Sequence, residues 1–325
     1  MKYRTLGKTG WRVSEIGFGA WGIGGAMWQG GDDGTALQTL HAALDAGCTF
    51  IDTALAYGDG HSERLIAQVL AERPEAIIVA SKIPPDTGVW PALPGTPLKA
   101  AFRADYVRDC AERSADHLNR PVDLLQFHVW RDEWLADPDW HVLEHTLETL
   151  VKSGTVRRIG ISVNDHEPDT VMEAVAHWDL LASVQVIYNI FDQTPARALF
   201  PLCQARSIGV IARVPLDEGA LTGKVNPMTS FPQGDWRMRY FRDNRREEIQ
   251  QRVERLAPVL AQESATLAEG AIRFCLSHPA VSTVIPGMRT PEHARVNAAM
   301  SDGRVLSPAL LAELADHAWP RNFYL

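Results

Sequence analysis

The chain has 325 residues, 46% of them hydrophobic and 22% charged, with a formal net charge of -8. That balance describes a water-soluble globular protein able to bury a large core, and its negative charge excludes a general electrostatic pull toward nucleic acid or anionic lipid. No run of about 18 apolar residues appears. The N-terminal MKYRTLGKTGW lacks the apolar centre of a secretory signal, so a cytoplasmic protein is expected.

The first predicted element is a hairpin. KYRTLGKTGWRV (2–13) alternates on either side of a Gly-containing turn, and it is placed to plug the bottom of whatever follows. Short apolar runs then alternate with amphipathic stretches to the end of the chain, the pattern of strand-helix units around a parallel sheet. The predicted strands are SEIGFGAW (14–21), CTFIDT (48–53), AIIVASKI (76–83), VDLLQFHV (122–129), VRRIGISV (156–163), SVQVIYN (183–189), GVIARVPL (209–216) and VSTVIPG (281–287). Between them lie helices with apolar spacing of three and four, such as Leu65, Ile66, Val69 and Leu70, or Ile249, Val253, Leu256 and Leu260. Ser62 is expected to cap the first of these. Eight units without a composition break predict one closed (β/α)8 barrel domain over residues 1–325 rather than two doubly wound domains. Cys48, Cys110, Cys203 and Cys275 are scattered, with no C-x-x-C spacing, and read as reduced, buried thiols.

Three longer insertions each follow a strand's C-terminal end: PPDTGVWPALPGTP after the third, WRDEWLADPDW after the fourth, and DEGALTGKVNPMTSFPQGDWRMRYFRDN after the seventh. In a barrel that end carries the site. Trp21, Trp90 and Trp130 follow strand C-termini and are expected to wall a pocket, whereas Trp178 and Trp319 read as packing residues.

The same strand ends carry reactive side chains. Asp52, Lys82 and His128 close the second, third and fourth strands, and Tyr57 follows on the loop after the second. Charged residues are expensive inside a strand unless paired. Ser162 and Asn164 end the fifth strand, Gln185 and Tyr188 the sixth, and Arg213 the seventh. A tyrosine is a poor proton donor at neutral pH, but a nearby ammonium favours its phenolate and lowers its pKa. Lys82 is placed to supply that charge, Asp52 to hold Lys82 protonated, and His128 to orient a substrate carbonyl beneath Tyr57. Such an assembly gives a proton to a carbonyl oxygen. The hydride for the carbon must come from a nicotinamide cofactor, because no side chain supplies one.

Three motif matches point elsewhere and are set aside. GFGAWG (17–22) satisfies G-x-G-x-x-G, but a Gly- and Trp-rich loop follows where a dinucleotide fold needs a helix. GALTGK is one residue short of a P-loop and has Val225 in place of Ser or Thr. HVLEH (141–145) fits H-x-x-E-H on a helix, with no third ligand in view, so no metal is expected.

DTALAYGDGHSE, the strand ending SK, LLQFHV, GISVND, VQVIYN, PLDEGALTGK and VIPGMRTPEHARVN, in that order, make the chain resemble the aldo-keto reductases over nearly its whole length. The resemblance implies a (β/α)8 barrel, a catalytic tetrad of Asp52, Tyr57, Lys82 and His128 with Tyr57 as general acid, and a small carbonyl substrate. It also implies that Ser162, Asn164 and Gln185 hold the nicotinamide carboxamide. Arg213 stands where many relatives stack an aromatic residue on the nicotinamide, and a guanidinium plane can also stack there. Leu216, Gly219, Lys224 and Arg237 in the loop after the seventh strand, with Gly287, Arg289, His293 and Asn297 at the last helix, are implied to grip the pyrophosphate and adenosine end. Relatives often carry Gln and Glu where His293 and Val296 stand; Asn297 matches. Arg289 is placed to meet a 2′-phosphate, favouring NADPH over NADH, though the pyrophosphate or solvent would serve it equally. The alternative reading is a nucleotide-binding redox sensor or regulatory subunit with little turnover. Substrate identity and oligomeric state are not legible.

Overall fold

The computed structural model describes residues 1–25 and 27–324. β1 (Tyr3–Thr5) and β2 (Arg12–Ser14) pair antiparallel, with Tyr3 opposite Ser14 and Thr5 opposite Arg12. This is the expected hairpin, and it does plug the barrel. Leu6 and Val13 are fully buried in a cluster with Phe50, Ala80, Leu124, Ile211 and Ile285, the lower interior layer of the strands that follow.

Those strands are β3 (Phe18–Gly19), β4 (Phe50–Asp52), β5 (Ile78–Ile83), β6 (Val122–Phe127), β7 (Val156–Ser162), β8 (Leu181–Ile187), β9 (Gly209–Arg213) and β10 (Val281–Val284), parallel and in sequential order. Bridges from Ile16 to Val284 and from Gly19 to Gly287 join first strand to last, which closes the eight-stranded barrel. At that seam the Gly19 amide donates to the Pro286 carbonyl at 3.1 Å. A Cβ on Gly19 would stand 2.8 Å from the Ile285 carbonyl oxygen, so only glycine lets the two backbones approach so closely. The expected first strand is therefore too long. Its opening residue Ser14 belongs to the hairpin, only Phe18–Gly19 is regular strand with Ile16 joining through a single bridge, and Trp21–Ile23 is already a tight helical turn. The last strand likewise stops at Val284 rather than running to 287.

Helices cover the outside of the strands because their apolar faces have nowhere else to go. His61–Ala71 buries Leu65, Ile66 and Val69, and Arg245–Leu260 buries Ile249, Val253, Leu256 and Leu260. Gly60, at φ +78°, precedes the first of these, and Ser62 does not cap it. Its hydroxyl instead accepts from Thr53 at 2.8 Å, tying the helix to the end of β4. The four cysteines are free and buried. His141 donates to the Pro138 carbonyl and His145 lies beside Glu148, both on the exposed side of their helix. Among the described residues no helix is long and apolar enough to cross a membrane.

Trp130 departs from expectation. It is 0% exposed and stacks on Trp178, ring centroids 5.6 Å apart, inside a cluster with Phe127, Trp134 and Trp140. Its indole N–H donates to Asp132, which also accepts from the Glu173 and Ala174 amides. Trp130 is thus a core residue, not a pocket wall, because the loop after β6 folds back over the helix layer. Trp90, 41% exposed, sits at the opening. Trp130→Ala is expected to cost about 3–5 kcal/mol in denaturant unfolding, and Trp90→Ala under about 1 kcal/mol. Equal losses would show that both tryptophans are core.

Candidate active site

Period-two alternation puts Phe50 and Asp52, Ala80 and Lys82, and Leu124, Gln126 and His128 on the inward side of β4, β5 and β6. The lower members are apolar and meet the hairpin plug. The upper members are polar and form a second layer toward the C-terminal end.

In that layer the Lys82 ammonium, 1% exposed, donates to Asp52 Oδ1 at 2.5 Å and to the Thr53 carbonyl at 2.8 Å. Its Nζ lies 3.4 Å from the Tyr57 hydroxyl and 5.0 Å from the centre of that ring. The far oxygen of Asp52 accepts from Gln185 Nε2 at 2.6 Å and from Gln126 Nε2 at 3.3 Å. His128 stands one residue past β6, its ring edge-on to Tyr57 at 5.9 Å and to Trp90 at 4.3 Å. Its Nδ1 is buried without a hydrogen-bond partner among the described residues. Trp21 stacks over Tyr57 at 6.2 Å.

Tyr57 is fixed by interlocked loops. Gly58 has φ +69°, and a Cβ there would stand 2.2 Å from the Gly24 carbonyl oxygen. The loop after β3 and the loop after β4 can touch only because glycine occupies that position.

The four side chains therefore converge, but the expected charge effect is not what governs the phenol. Burial, reinforced by the Asp52 carboxylate and partly opposed by Arg213, holds Tyr57 well above its ordinary pKa. The reason is that a phenolate in this wall of rings loses its hydration. Tyr57 is thereby kept neutral, which is the form that has a proton to give. Burial lowers Lys82 against the pull of Asp52, and burial with the charges of Lys82 and Arg213 holds His128 well below the usual imidazole range. His128 is a neutral ring at physiological pH.

The remaining expected residues divide. Ser162, buried at the end of β7, stands in register with Gln185 on β8. Both Gln185 amide hydrogens have protein acceptors, Asp52 and Gln126 Oε1. Asn164 also differs from expectation. Its amide donates to the Ala92 carbonyl at 3.3 Å and to Glu167 at 3.2 Å, and its Oδ1 accepts from the Trp130 amide, so it pins three loops together. Arg213 donates to Asp165 at 2.7 Å and to the Val163 carbonyl at 2.9 Å, leaving Nε buried and without a hydrogen-bond partner among the described residues.

Beyond β9 the backbone takes left-handed φ at Val214, Asp217, Glu218 and Gly219, beside the half-buried Leu216. Arg237 pairs with both Asp235 oxygens at 2.8 Å and lies 4.6 Å over Trp28. Arg289 does not point to solvent; it donates to the Gln29 carbonyl and lies 5.6 Å from the Trp28 ring centre. Trp28 thus contacts both guanidiniums, which tie the loop after β3 to the far side of the barrel mouth. Lys224 is exposed, His293 lies in the first turn of Pro291–Ala299, and Asn297 is buried in that helix.

Several site residues escaped the sequence reading. Gln126 was available to the period-two rule, since it lies two residues before His128. Tyr324 carried no local signal. Its hydroxyl donates to Glu218 at 2.5 Å and its ring stacks on Trp236, which faces Trp21 at 6.2 Å. The aromatic row from Tyr57 thus runs through Trp21 and Trp236 to the C-terminal segment. Burial pushes the Glu218 carboxyl up to about 7, with the Tyr324 hydrogen bond opposing and Asp217 reinforcing.

Barrel and site together define a class, the oxidoreductases of the aldo-keto reductase type. Residues 15–318 match the model of the Aldo/keto reductase family, and the chain belongs to it. It is 31% identical over 300 residues to aldo-keto reductase YhdN of Bacillus subtilis (strain 168), a match covering 90% of this chain and 86% of that protein. It is 29% identical to a probable voltage-gated potassium channel subunit beta of Arabidopsis thaliana, over 88% of this chain and 87% of that one. A solved structure of an aldo-keto reductase from Klebsiella pneumoniae in complex with NADPH superposes with a TM-score of 0.69 at 26% identity, covering 99% of this chain and 97% of that chain.

Glu218 yields a pH test. Its folded carboxyl keeps its proton to about 7, above the ordinary 4.5, so its stabilising contribution is complete below the ordinary value and is lost as pH rises through about 7. Between about pH 5 and about pH 8 the wild type is expected to lose up to about 3 kcal/mol more stability than Glu218→Gln. Parallel stability curves from unfolding at each pH would refute this.

Proposed function

We propose that this protein reduces an aldehyde or ketone to the alcohol with NADPH, Tyr57 being the general acid. The observation that carries this is the Tyr57 hydroxyl, 3.4 Å from an ammonium that is itself buried and paired with Asp52. His128, neutral and edge-on to Tyr57, orients the carbonyl oxygen by a hydrogen bond without adding charge. As negative charge develops on that oxygen, Tyr57 gives up its proton, and the phenolate left behind is stabilised by Lys82 until solvent returns the proton. Asp52 keeps Lys82 charged through the cycle. The nicotinamide, when bound, supplies the hydride that reaches the carbonyl carbon.

The residues present fit such a cofactor. At Gly219 and Gly287, past β9 and β10, a Cβ would meet nothing within 4 Å among the described residues, so the backbone there is open to a ligand. Arg213 holds its buried Nε beside the tetrad. Ser162 would share the carboxamide; Gln185 and Asn164 would do so only by giving up present hydrogen bonds. Arg289 lies within electrostatic reach of Arg237, itself paired with Asp235, and of His293, which in turn lies within reach of Lys224, a strip carrying three cations on a chain of net charge -8. That strip favours the extra phosphate of NADPH over NADH.

Trp21 and Trp90 flank the tetrad and favour a carbonyl substrate that tolerates aromatic contact. We place this activity in the cytoplasm, in one barrel unit spanning the chain. The likeness to a channel subunit beta favours a second reading, a nucleotide-binding regulatory subunit that turns over slowly.

Loss of NADPH absorbance with a panel of aldehydes and ketones separates the two, since tight nucleotide binding without turnover would favour the second. Tyr57→Phe is expected to lower kcat by about 10²–10⁴-fold while the Kd for NADPH stays near the wild-type value. Undiminished turnover in that variant would remove Tyr57 from its role.

A further inference from the structure

We propose that Gln126 and Gln185 are positioning residues, an amide clamp that fixes the Asp52 carboxylate and through it the aim of the Lys82 ammonium at Tyr57. The inference rests on the reductase reading above and assigns both glutamines to the proton-delivery side of that site.

The carboxylate has two oxygens and one cation. Oδ1 faces Lys82. Oδ2 faces away from it and, with Asp52 3% exposed, is shut off from bulk solvent. Leaving half of a buried carboxylate unsatisfied is costly. The two amides, from β6 and β8, meet that demand at 3.3 and 2.6 Å. They also bind each other, Gln185 Nε2 donating to Gln126 Oε1 at 3.3 Å.

This three-way contact fixes both amide orientations. Turning either amide over would set a carbonyl oxygen against the carboxylate, and turning Gln185 would also remove its donor to Gln126. Each glutamine is buried, and neither brings a charge, so neither competes with Lys82 for Asp52.

β7 lies between β6 and β8, and the residue opposite Gln126 on it is Gly160. A Cβ at that position would stand 3.0 Å from Gln126 Cγ and 2.6 Å from Ser183 Oγ. The missing side chain leaves room for the two glutamines to meet across the intervening strand. With the carboxylate plane fixed from behind, Lys82 is left with Thr53 and Tyr57 as its other neighbours.

Gln126→Leu and Gln185→Met remove each arm with similar volume. Each is expected to lower kcat about tenfold or more; the Kd for NADPH is expected to stay within about twofold of wild type in Gln126→Leu, whereas Gln185→Met, at a residue that also faces the carboxamide position, is judged by the cofactor-free Lys82 signal below. In an Asp52→Asn background the same changes are expected to cost little further, because the partner they act through has gone. Nitrogen-15 NMR of the Lys82 ammonium, with neither cofactor nor substrate, is expected to shift in both variants and to stay put in Asn164→Ala. Weakened NADPH binding with kcat retained in Gln126→Leu, losses that multiply fully with Asp52→Asn, or an unmoved Lys82 signal would each overturn the clamp.

If either apolar variant fails to fold, Gln185→Glu preserves the shape. Its carboxyl can donate to Asp52 only while protonated, so kcat is expected to approach wild type at low pH and to fall as pH rises. The other groups facing this carboxyl through the network, Lys82, Glu63, Tyr57, His128 and Arg213, are common to both proteins, and a flat ratio of variant to wild type would count against the clamp. Wild-type protein that oxidises no NADPH with any carbonyl would sink the reductase reading, whereas the Lys82 signal would still decide the clamp.

Discussion

A single buried ion pair, Lys82 with Asp52, is the constraint around which the rest is arranged. Taking an ammonium and a carboxylate out of water costs several kcal/mol for each, and their attraction repays this only when the remaining hydrogen-bonding positions are filled. Here they are filled by backbone at Thr53 and by two amides from across the barrel. The apolar layer below, closed by Leu6 and Val13 of the hairpin, keeps water from entering beneath the pair. What remains open is the direction of Tyr57.

The fold was legible because a barrel repeats one instruction eight times. Each strand-helix unit carries its own alternation, so an error at one boundary, as at residues 14–21, leaves the count unchanged. Asp52, Lys82 and His128 were legible for a related reason: ionisable groups at the ends of apolar strands demand partners, and strand ends in a barrel face one another. Orientation was not legible. Asn164 and Trp130 sit where the pattern places pocket residues, yet both are turned into loop and core contacts by partners more than thirty residues away. The same holds for Arg289, whose guanidinium is aimed by Gln29 and Trp28, and for Tyr324, whose role depends on Glu218.

The phenol's environment shows why naming a residue is not the same as knowing its state. Proximity to an ammonium argues for an acidified tyrosine, whereas burial and a carboxylate argue the other way, and here burial dominates. The outcome still suits a proton donor. Under the proposed reduction, a phenol that keeps its proton until charge develops beside it would act only when a carbonyl oxygen becomes basic, and Lys82 would then stabilise the product of that transfer rather than its starting state.

The placement of the tryptophans also divides the molecule optically. Trp21, Trp28, Trp90 and Trp236 surround the opening, whereas Trp130, Trp134 and Trp178 pack together in the interior with the half-buried Trp140 at their edge. Light absorbed by the inner set is traded among neighbouring indoles and reports on folding. The outer set lies beside the groove that a reduced nicotinamide would enter, and that ring absorbs where indoles emit. Intrinsic fluorescence from one unlabelled sample therefore carries contributions from both sets, the indoles at the mouth standing nearest to an occupant, while Trp11 and Trp319 belong to neither.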